Sequence, residues 1–299
     1  MILVAGGSGF IGSAVVRRLV ARGIDVAVMT AHPGRSRGRI EEMGARVVTG
    51  DVLDPASLAS AVDGAEAVIQ ALTFPTFPGE KRRKSYTFEE FDHRGTERLG
   101  TAAAKAGVGK YVYVSGTGVA PDSSKVWYRA KWFGEEAIRG AGIAHAIIRP
   151  SWVYGPEDPG LNKFVAFHRW LPFVPVIGDG SQRLQPVFVE DVADAVAQAA
   201  SPTGPTGTFE IGGPEVLSMN EVLRAMMEIR GKVKPLIHFP TFLPKLAGFF
   251  LQVLPKPPLS PEAVDFATAD ALADTERLLQ EFDLRLTNLR DGLSTYVAG

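Results

Sequence analysis

The sequence predicts an α/β protein in which helices cover both faces of a parallel sheet. Three observations support this class. Short apolar runs alternate with segments of helical periodicity through the first half of the chain, the runs contain no long polar alternation, and a glycine-rich turn joins the first run to the first helix. Strands that are apolar on both faces are typical of parallel sheets buried between helices.

The first half of the chain predicts six strands separated by helices. The apolar runs that have the length of a buried strand are residues 2–5, 25–30, 46–49, 67–71, 111–115 and 145–148. Helices are predicted at residues 11–22, around Glu41 and Glu42, and at 54–62, 88–106 and 128–139. The long helix 88–106 ends at Gly107, a residue type that commonly follows a helix.

The second half is less regular, because proline and glycine interrupt residues 155–186. A strand leads into a helix over residues 187–200, a turn region follows at 201–208, and residues 220–229 are predicted to be helical. We therefore expect a first domain over residues 1–156, to which residues 187–200 return. A smaller, mixed substrate-binding lobe would contain residues 157–184 and 205–299.

The composition excludes several classes of protein. The 299 residues include 32 Lys+Arg and 33 Asp+Glu, a balance that argues against a nucleic-acid binder. There is no cysteine, and the five histidines have no metal-ligand spacing, so no metal site is expected. No signal peptide or membrane span is evident, and a cytoplasmic protein is the expectation.

A glycine-rich turn follows the first predicted strand and opens the first predicted helix, with glycines at positions 6, 9 and 12. Gly6 permits a tight turn, Gly9 lets the backbone approach a pyrophosphate, and Gly12 allows close packing of helix on strand. The N–H groups at the start of the helix would face the anion, so Phe10 and Ile11 join the predicted site. This context predicts a dinucleotide site rather than a purely structural turn.

The spacing GxxGxxG resembles that of the extended short-chain dehydrogenases/reductases, a group that includes epimerase/dehydratase-like enzymes. Further segments resemble that family in the same order: residues 50–54, 92–96, 112–117, 148–156, 185–193 and 209–214. The resemblance implies a Rossmann-type fold and a contact of Asp51 with the adenine ring. It also implies cofactor contacts at Val52, Ala71, Ser115, Pro150 and Val153.

The end of the second strand favours NADP(H) over NAD(H). An NAD enzyme usually has an acidic residue there to bind both ribose hydroxyls. This chain has Thr30 and Ala31, followed by His32 and Arg35, which suit a 2′-phosphate. For the next two basic residues, Arg37 and Arg39, a solvated loop is the better interpretation.

The catalytic set that the resemblance implies is incomplete. The family carries Tyr-x-x-x-Lys on the fifth helix, where the lysine binds the nicotinamide ribose and the tyrosine moves a proton. Lys131 is retained, but four residues before it stands Trp127, whose indole cannot shuttle a proton. Tyr128 is one residue after the position where the family has its tyrosine. It either reaches the site or is a packing tyrosine. Thr117 matches the catalytic Ser/Thr or is a turn hydroxyl, and Asp92 replaces an asparagine.

Two functions remain open from the sequence. The first is an NADP(H)-dependent oxidoreductase or epimerase/dehydratase-like enzyme that acts on an apolar, carbonyl or quinone-type substrate. The second is a non-catalytic NADP(H)-binding subunit or sensor that docks on a respiratory or membrane partner. The departures at Trp127 and Asp92 resemble the atypical branch that contains the nucleotide-binding subunit of respiratory complex I. Its members bind NADP(H) firmly and often lack turnover. The chain would be a monomer or a homodimer.

Two further segments carry weaker expectations. Residues 239–258 are the most hydrophobic stretch and are predicted to form a helix of the small lobe that covers the cleft; alternatively, Phe249 and Phe250 line an apolar substrate pocket. An interfacial helix is the less favoured interpretation, because the segment lacks a charged face. The loop 73–85 contains Phe74, Phe77 and four basic residues at 81–84, which are either solvated or attract an anion.

Overall fold

A seven-stranded sheet forms the centre of the fold. The structure is a computed structural model that describes residues 1–74, 80, 86–251 and 261–297. The strands of the sheet are β1 (Ile2–Ala5), β2 (Val26–Thr30), β3 (Arg46–Thr49), β4 (Ala67–Gln70), β5 (Lys110–Val114), β6 (Ala144–Pro150) and β11 (Gly207–Ile211). Their order is β11-β6-β5-β4-β1-β2-β3, and all neighbours are parallel. The strand order reverses between β1 and β4 as in a Rossmann fold, so the predicted fold class is confirmed.

Helices connect and flank these strands. They are α1 (Phe10–Ala21), α2 (Pro33–Glu42), α3 (Pro55–Ala61), α4 (Gly95–Lys105), α5 (Val126–Gly140), α7 (Val189–Ala199) and α11 (Glu276–Glu281). A π-helical turn, Glu89–Arg94, precedes α4. The sequence predicted one continuous helix over residues 88–106, and the structure instead widens its first turns. Such turns are rare and occur frequently at functional sites.

The chain divides into two compact units. Unit 1 contains Met1–Pro150, Val189–Ile211 and Ala273–Arg285, and unit 2 contains Ser151–Phe188, Gly212–Leu272 and Leu286–Gly299. The sequence assigned residues 205–299 to the small lobe, but residues 207–211 pair with β6 as the edge strand of the large sheet. Residues 151–156 belong to unit 2 rather than to the first domain. The pairing of β11 with β6 could not be predicted from proline and glycine content, because the two strands are far apart in sequence.

Unit 2 has short two-stranded sheets and helices of its own. Its strands are β7 (Val153–Tyr154), β8 (Val174–Ile177), β9 (Arg183–Leu184), β10 (Val187–Phe188), β12 (Leu217–Ser218) and β13 (Leu236–Phe239). They pair as β7 with β10, β8 with β13 and β9 with β12. Its helices are α6 (Leu161–Trp170), α8 (Met219–Ile229), α9 (Phe242–Leu251), α10 (Pro261–Ala267) and α12 (Leu289–Ser294). In neither unit is a described helix long and apolar enough to cross a membrane.

A buried carboxylate, that of Glu135, holds α5 to the sheet of unit 1. Arg149 on β6 donates from Nε to Oε1 at 2.8 Å and from Nη2 to Oε2 at 2.6 Å. Arg139, one turn later on α5, donates to Oε2 at 2.8 Å, and Ser115 Oγ donates to Oε1 at 2.6 Å. The hydrogen bond to Glu135 raises the pKa of Arg149. Because both carboxylate oxygens accept charge-assisted bonds, the desolvation of Glu135 is compensated.

We predict that Glu135→Ala destabilises the protein by about 3–5 kcal/mol, because it removes the carboxylate that forms two hydrogen bonds with partly buried Arg149 and leaves only Glu210, at 3.8 Å. The measurement is the free energy of unfolding in urea. Glu136→Ala is the matched control: Glu136 is the next residue on α5, and its bond to Arg139 is exposed, so its removal should cost at most about 1 kcal/mol. Equal losses in the two variants would contradict the prediction.

Candidate functional site

The glycine-rich turn forms a close backbone approach at the end of β1. Gly6 has a φ of 86°, and a Cβ there would lie 2.6 Å from the carbonyl oxygen of Ala71, the residue that follows β4. Ala71 in turn donates its N–H to the Ala5 carbonyl at 2.8 Å. A Cβ at Gly12 would lie 2.1 Å from the Gly6 carbonyl oxygen. Both positions therefore require glycine.

The outer side of this turn is open and suits a pyrophosphate. Gly9 is exposed, and a Cβ there would meet only the Gly6 carbonyl oxygen, at 3.3 Å. Gly9 is also the N-cap of α1, has no side chain to cap the helix, and is followed by half-buried Phe10 and Ile11. The first turn of α1 contains no acidic residue. The helix N-terminus therefore presents N–H groups and positive potential without a competing carboxylate.

Hydrogen bonds of Asp51 stabilise the turn after β3. Its carboxylate accepts the N–H of Leu53 at 2.9 Å, and its own N–H donates to Ser57 Oγ at 2.9 Å. Val52 is buried and packs against Gly95 at the start of α4. The structure thus gives Asp51 and Val52 a fixed turn at the carboxyl edge of the sheet, where Rossmann folds bind their ligands.

The carboxyl end of β2 is basic and carries no acid. Thr30 accepts the N–H of His32 at 3.2 Å, and exposed His32 is the N-cap of α2. Arg35 is exposed in the first turn of α2. Arg39 donates to Ser13 Oγ of α1 at 3.4 Å, whereas the exposed Arg37 is paired with Glu41.

Arg39 is exposed, as the sequence predicts, although it lies on α2 rather than in a loop, and its side chain also contacts the helix that follows the glycine turn. Residues four apart share one helix face, so Arg35 lies on the same side of α2 as Arg39. The four-residue separation of Arg35 and Arg39 is visible in the sequence, but no local pattern indicates that α2 lies beside α1.

Trp127 is a core residue. It is 9% exposed and its ring packs against Phe88, with centroids 6.1 Å apart. Phe88 in turn packs against Phe74 and both belong to the buried core of unit 1. The side chain four residues before Lys131 therefore packs in the core.

Tyr128 lies against the loop that follows β5. Its ring faces Gly118, since a Cβ placed on that glycine would lie 3.5 Å from Cζ and 3.7 Å from the phenol oxygen. Gly118 follows Thr117, whose N–H donates to the Pro150 carbonyl at 3.0 Å. The structure therefore brings the Tyr128 phenol to the Thr117 turn, despite its displacement by one residue. Burial raises the pKa of Tyr128 above its ordinary value.

Lys131 forms a buried ion pair with Asp92. The Lys131 Nζ is 3.5 Å from Asp92 Oδ1 and 5.5 Å from the centroid of the Tyr113 ring. Burial raises the pKa of Asp92, and Lys131 opposes this effect. Burial acts to lower the pKa of Lys131, but Tyr113 and Asp92 outweigh it, so the pKa is raised. Burial raises the pKa of Tyr113 to about 12.

The π-helical turn that carries Asp92 is fixed by buried hydrogen bonds. Thr96 Oγ1 donates to the Asp92 carbonyl at 2.7 Å and accepts from Gln70 Nε2 at 2.8 Å. Gln70 is the last residue of β4 and accepts a short hydrogen bond from Tyr111. On the other side, a Cβ at Gly134 of α5 would lie 2.6 Å from the Asp92 carbonyl oxygen. The sequence did not predict this network, because its members are polar residues within otherwise apolar elements.

Three predicted cofactor contacts have other structural partners. Ser115 is 8% exposed and its hydroxyl donates to Glu135. Pro150 is buried and its carbonyl receives the Thr117 N–H. Val153 belongs to unit 2, where it pairs with Val187.

The remaining sequence expectations have mixed outcomes. Phe74 is buried in the core, whereas Phe77 and the basic residues 81–84 lie outside the described residues. Helix α9 forms within the stretch 239–258 and belongs to unit 2, as predicted. Phe249 and Phe250 on it are each 65% exposed, and residues 252–258 are not described. In the described part of the chain, no group of three or more His, Asp or Glu side chains could hold a metal ion.

Comparisons with known proteins agree with this geometry. A family described as NAD(P)H-binding matches residues 6–201. The NADH dehydrogenase (ubiquinone) 1 alpha subcomplex subunit 9 of Arabidopsis thaliana is 29% identical over 297 residues, which cover 96% of this chain and 72% of that protein. The NAD(P)H azoreductase of Xenophilus azovorans is 27% identical over 235 residues, which cover 78% of this chain and 74% of that protein.

Solved structures share the fold. The UDP-glucose 4-epimerase of Thermotoga maritima superposes with a TM-score of 0.76 at 22% identity, over 99% of this chain and 97% of that one. At this identity the likeness concerns the fold alone. The family match covers most of the chain and includes the glycine turn. The protein is thus a member of the NAD(P)H-binding family and carries the motifs of an atypical, extended short-chain dehydrogenase/reductase.

Proposed function

We propose that the protein is an NADP(H)-dependent oxidoreductase that reduces an apolar carbonyl or quinone-type substrate. The observation that carries this proposal is the position of the Tyr128 ring beside Gly118, the residue after Thr117, where a Cβ would lie 3.7 Å from the phenol oxygen. A phenol and a threonine hydroxyl at one turn form a pair that can donate a proton to a substrate oxygen and orient it. A curated relative that is itself named as a reductase, the azoreductase, supports the same reaction class.

The preference for NADP(H) rests on the charge at the end of β2. No carboxylate stands at Thr30 or Ala31 to repel a 2′-phosphate, and the N-terminus of α2 follows directly. Arg35 and His32 would bind the phosphate there, and Arg39 would add positive charge from the same face of α2. The turn at Gly6, Gly9 and Gly12 would hold the pyrophosphate.

Lys131 would bind the nicotinamide ribose with an ammonium group that stays charged. Its partner Asp92, 3.5 Å away, favours the charged form. Lys131 is paired with Asp92, and burial is the main cause of the raised pKa of Tyr128. The Tyr128 phenol is therefore protonated at neutral pH and suited to donate a proton.

When bound, the nicotinamide supplies a hydride to the substrate carbon. The residues of this chain would supply the other requirements of a reduction: Thr117 orients the substrate oxygen and Tyr128 protonates it. Reduction is the direction favoured by a protonated phenol, since oxidation would require the phenolate as a base.

A second candidate is a nucleotide-binding subunit without turnover, and the burial of Trp127 favours it. The side chain at the expected tyrosine position is an indole in the aromatic core, and it has no acidic hydroxyl. The rate at which NADPH leaves the protein separates the two candidates. Exchange within seconds supports a cosubstrate, whereas release over hours supports a resident nucleotide in a larger assembly.

We predict that native protein binds NADPH more tightly than NADH, and that Arg35→Ala weakens NADPH binding by about 10–100-fold. A charge-assisted hydrogen bond to phosphate contributes about 1.5–3 kcal/mol, and about 1.4 kcal/mol is tenfold in Kd. The measurement is a fluorescence titration with each nucleotide. NADH affinity should not change, and Arg37→Ala should alter neither, because Arg37 is exposed and paired with Glu41. Equal affinity of native protein for the two nucleotides would contradict the preference.

We predict that Tyr128→Phe lowers the rate of NADPH-dependent quinone or carbonyl reduction by about 10²–10⁴-fold while NADPH affinity is retained. Tyr296→Phe is the control, since it removes a buried hydroxyl from unit 2. The native rate should be constant through neutral pH and fall only above about pH 10, the ordinary pKa of tyrosine, because the donor form exists below its raised pKa. Unchanged turnover in Tyr128→Phe would remove this residue from the mechanism.

A further inference from the structure

The turn after β3 lies at the margin of unit 1. β3 is the outermost strand on one side of the large sheet, and both of its end residues are exposed. Hydrogen bonds of Asp51 with Leu53 and Ser57 fix the shape of the turn. These bonds are local, so they do not determine where the turn lies relative to the rest of the site. We call residues 51–54 the β3 turn.

Arg98 of α4 contacts the β3 turn with one arm of its guanidinium group. Its Nη1 donates to the Val52 carbonyl oxygen at 3.3 Å. The helix approaches the turn closely because Gly95 has no side chain: a Cβ there would lie 3.0 Å from Val52 Cγ2. Arg98 is half-buried, and a hydrogen bond from a charged donor is stronger than one between neutral groups. Arg98 can therefore hold the β3 turn against α4.

The second arm of the same guanidinium group contacts the π-helical turn Glu89–Arg94. The Nη2 of Arg98 donates to Glu90 Oε2 at 2.9 Å. This turn also carries Asp92, which is paired with Lys131, the residue that would bind the nicotinamide ribose. One side chain therefore connects the β3 turn with the helical turn beside the nicotinamide end of the site.

We propose that Arg98 is a positioning residue for the adenine ring, because it holds the β3 turn where the Asp51 carboxylate accepts a hydrogen bond from the adenine amino group. An ionised carboxylate only accepts hydrogen bonds, and the amino group donates them. Arg98 acts through the Val52 carbonyl and does not touch the base. The inference rests on the proposed binding of NADP(H), but not on the reduction that would follow.

The test compares NADPH with deamino-NADPH, in which a carbonyl oxygen replaces the adenine amino group. Both nucleotides have the same phosphates and the same fluorescent nicotinamide, so one fluorescence titration measures both. Native protein should bind NADPH at least about ten-fold more tightly. A hydrogen bond to a charged group contributes at least about 1.5 kcal/mol, and about 1.4 kcal/mol is tenfold in Kd.

Arg98→Gln should weaken NADPH binding about ten-fold and leave the affinity for deamino-NADPH almost unchanged. The reason is that deamino-NADPH lacks the hydrogen bond for which the turn is positioned. The ratio of the two affinities should therefore fall to about 1–2. A merely structural role would weaken both nucleotides by the same factor and keep the ratio, as for any two independent effects.

Two further variants define the route. Glu90→Gln keeps the bond between Arg98 and Val52, so it should preserve most of the preference for NADPH. Arg94→Gln is the matched control: Arg94 lies four residues before Arg98, and its side chain is exposed and paired with Glu97. Both affinities of this control should equal those of native protein.

Hydrogen exchange without nucleotide tests the physical cause. In Arg98→Gln the amides of the β3 turn should exchange faster than in native protein, whereas those of the glycine-rich turn, residues 6–12, should exchange at the native rate. This comparison separates a displaced β3 turn from a general loosening of unit 1.

Three results would overturn the proposal. Equal affinity of native protein for the two nucleotides would show that the β3 turn does not bind the amino group, so that Arg98 has nothing to position. Equal weakening of both nucleotides in Arg98→Gln would show that the residue only supports the fold. Unchanged NADPH affinity in that variant would show that other contacts hold the turn. Native protein that binds no NADPH would overturn the proposed function as well, and this failure is recognised before any substitution is made.

Discussion

The buried carboxylate of Glu135 is the interaction on which the candidate site depends. Its hydrogen bonds with Ser115, the residue after β5, and with Arg149 of β6 connect α5 to both strands. These bonds fix the rotation of the helix about its axis. With that rotation set, Trp127 must enter the core, whereas Lys131 is directed to the π-helical turn. The contacts of Glu135 therefore determine which side chains of α5 face the candidate site.

Much of the fold could be predicted because its signals are local. The strands are short apolar runs, and the glycines at 6 and 12 are required by backbone contacts that every such turn makes. The errors arose where distant residues decide the structure. β11 joins the sheet only because β6 offers a free edge, and the π-helical turn Glu89–Arg94 depends on the close approach of Gly134. Neither cause is visible in a local window.

The site was predictable in its residue types but less so in its contacts. Motif matching selected Thr117, Lys131 and Ser115 as candidates, but it could not detect the buried carboxylate that accepts the hydrogen bond of Ser115. Arg39 is exposed as predicted, but its contact with Ser13 of α1 could not be predicted, since the proximity of α2 to α1 depends on the tertiary structure. Asp92 was noted only as a substitution, and its burial against Lys131 gives that substitution a physical role.

The division of unit 1 into three stretches of sequence has a consequence for biosynthesis. As the chain leaves the ribosome, β6 is complete long before β11, and the first segment of unit 2 is made between them. During that interval the hydrogen-bonding groups along one side of β6 have no neighbouring strand, and unpaired strand edges promote association between nascent chains. The sheet can close only when residues 207–211 emerge, so the edge of the nucleotide-binding unit is finished by a late part of the chain.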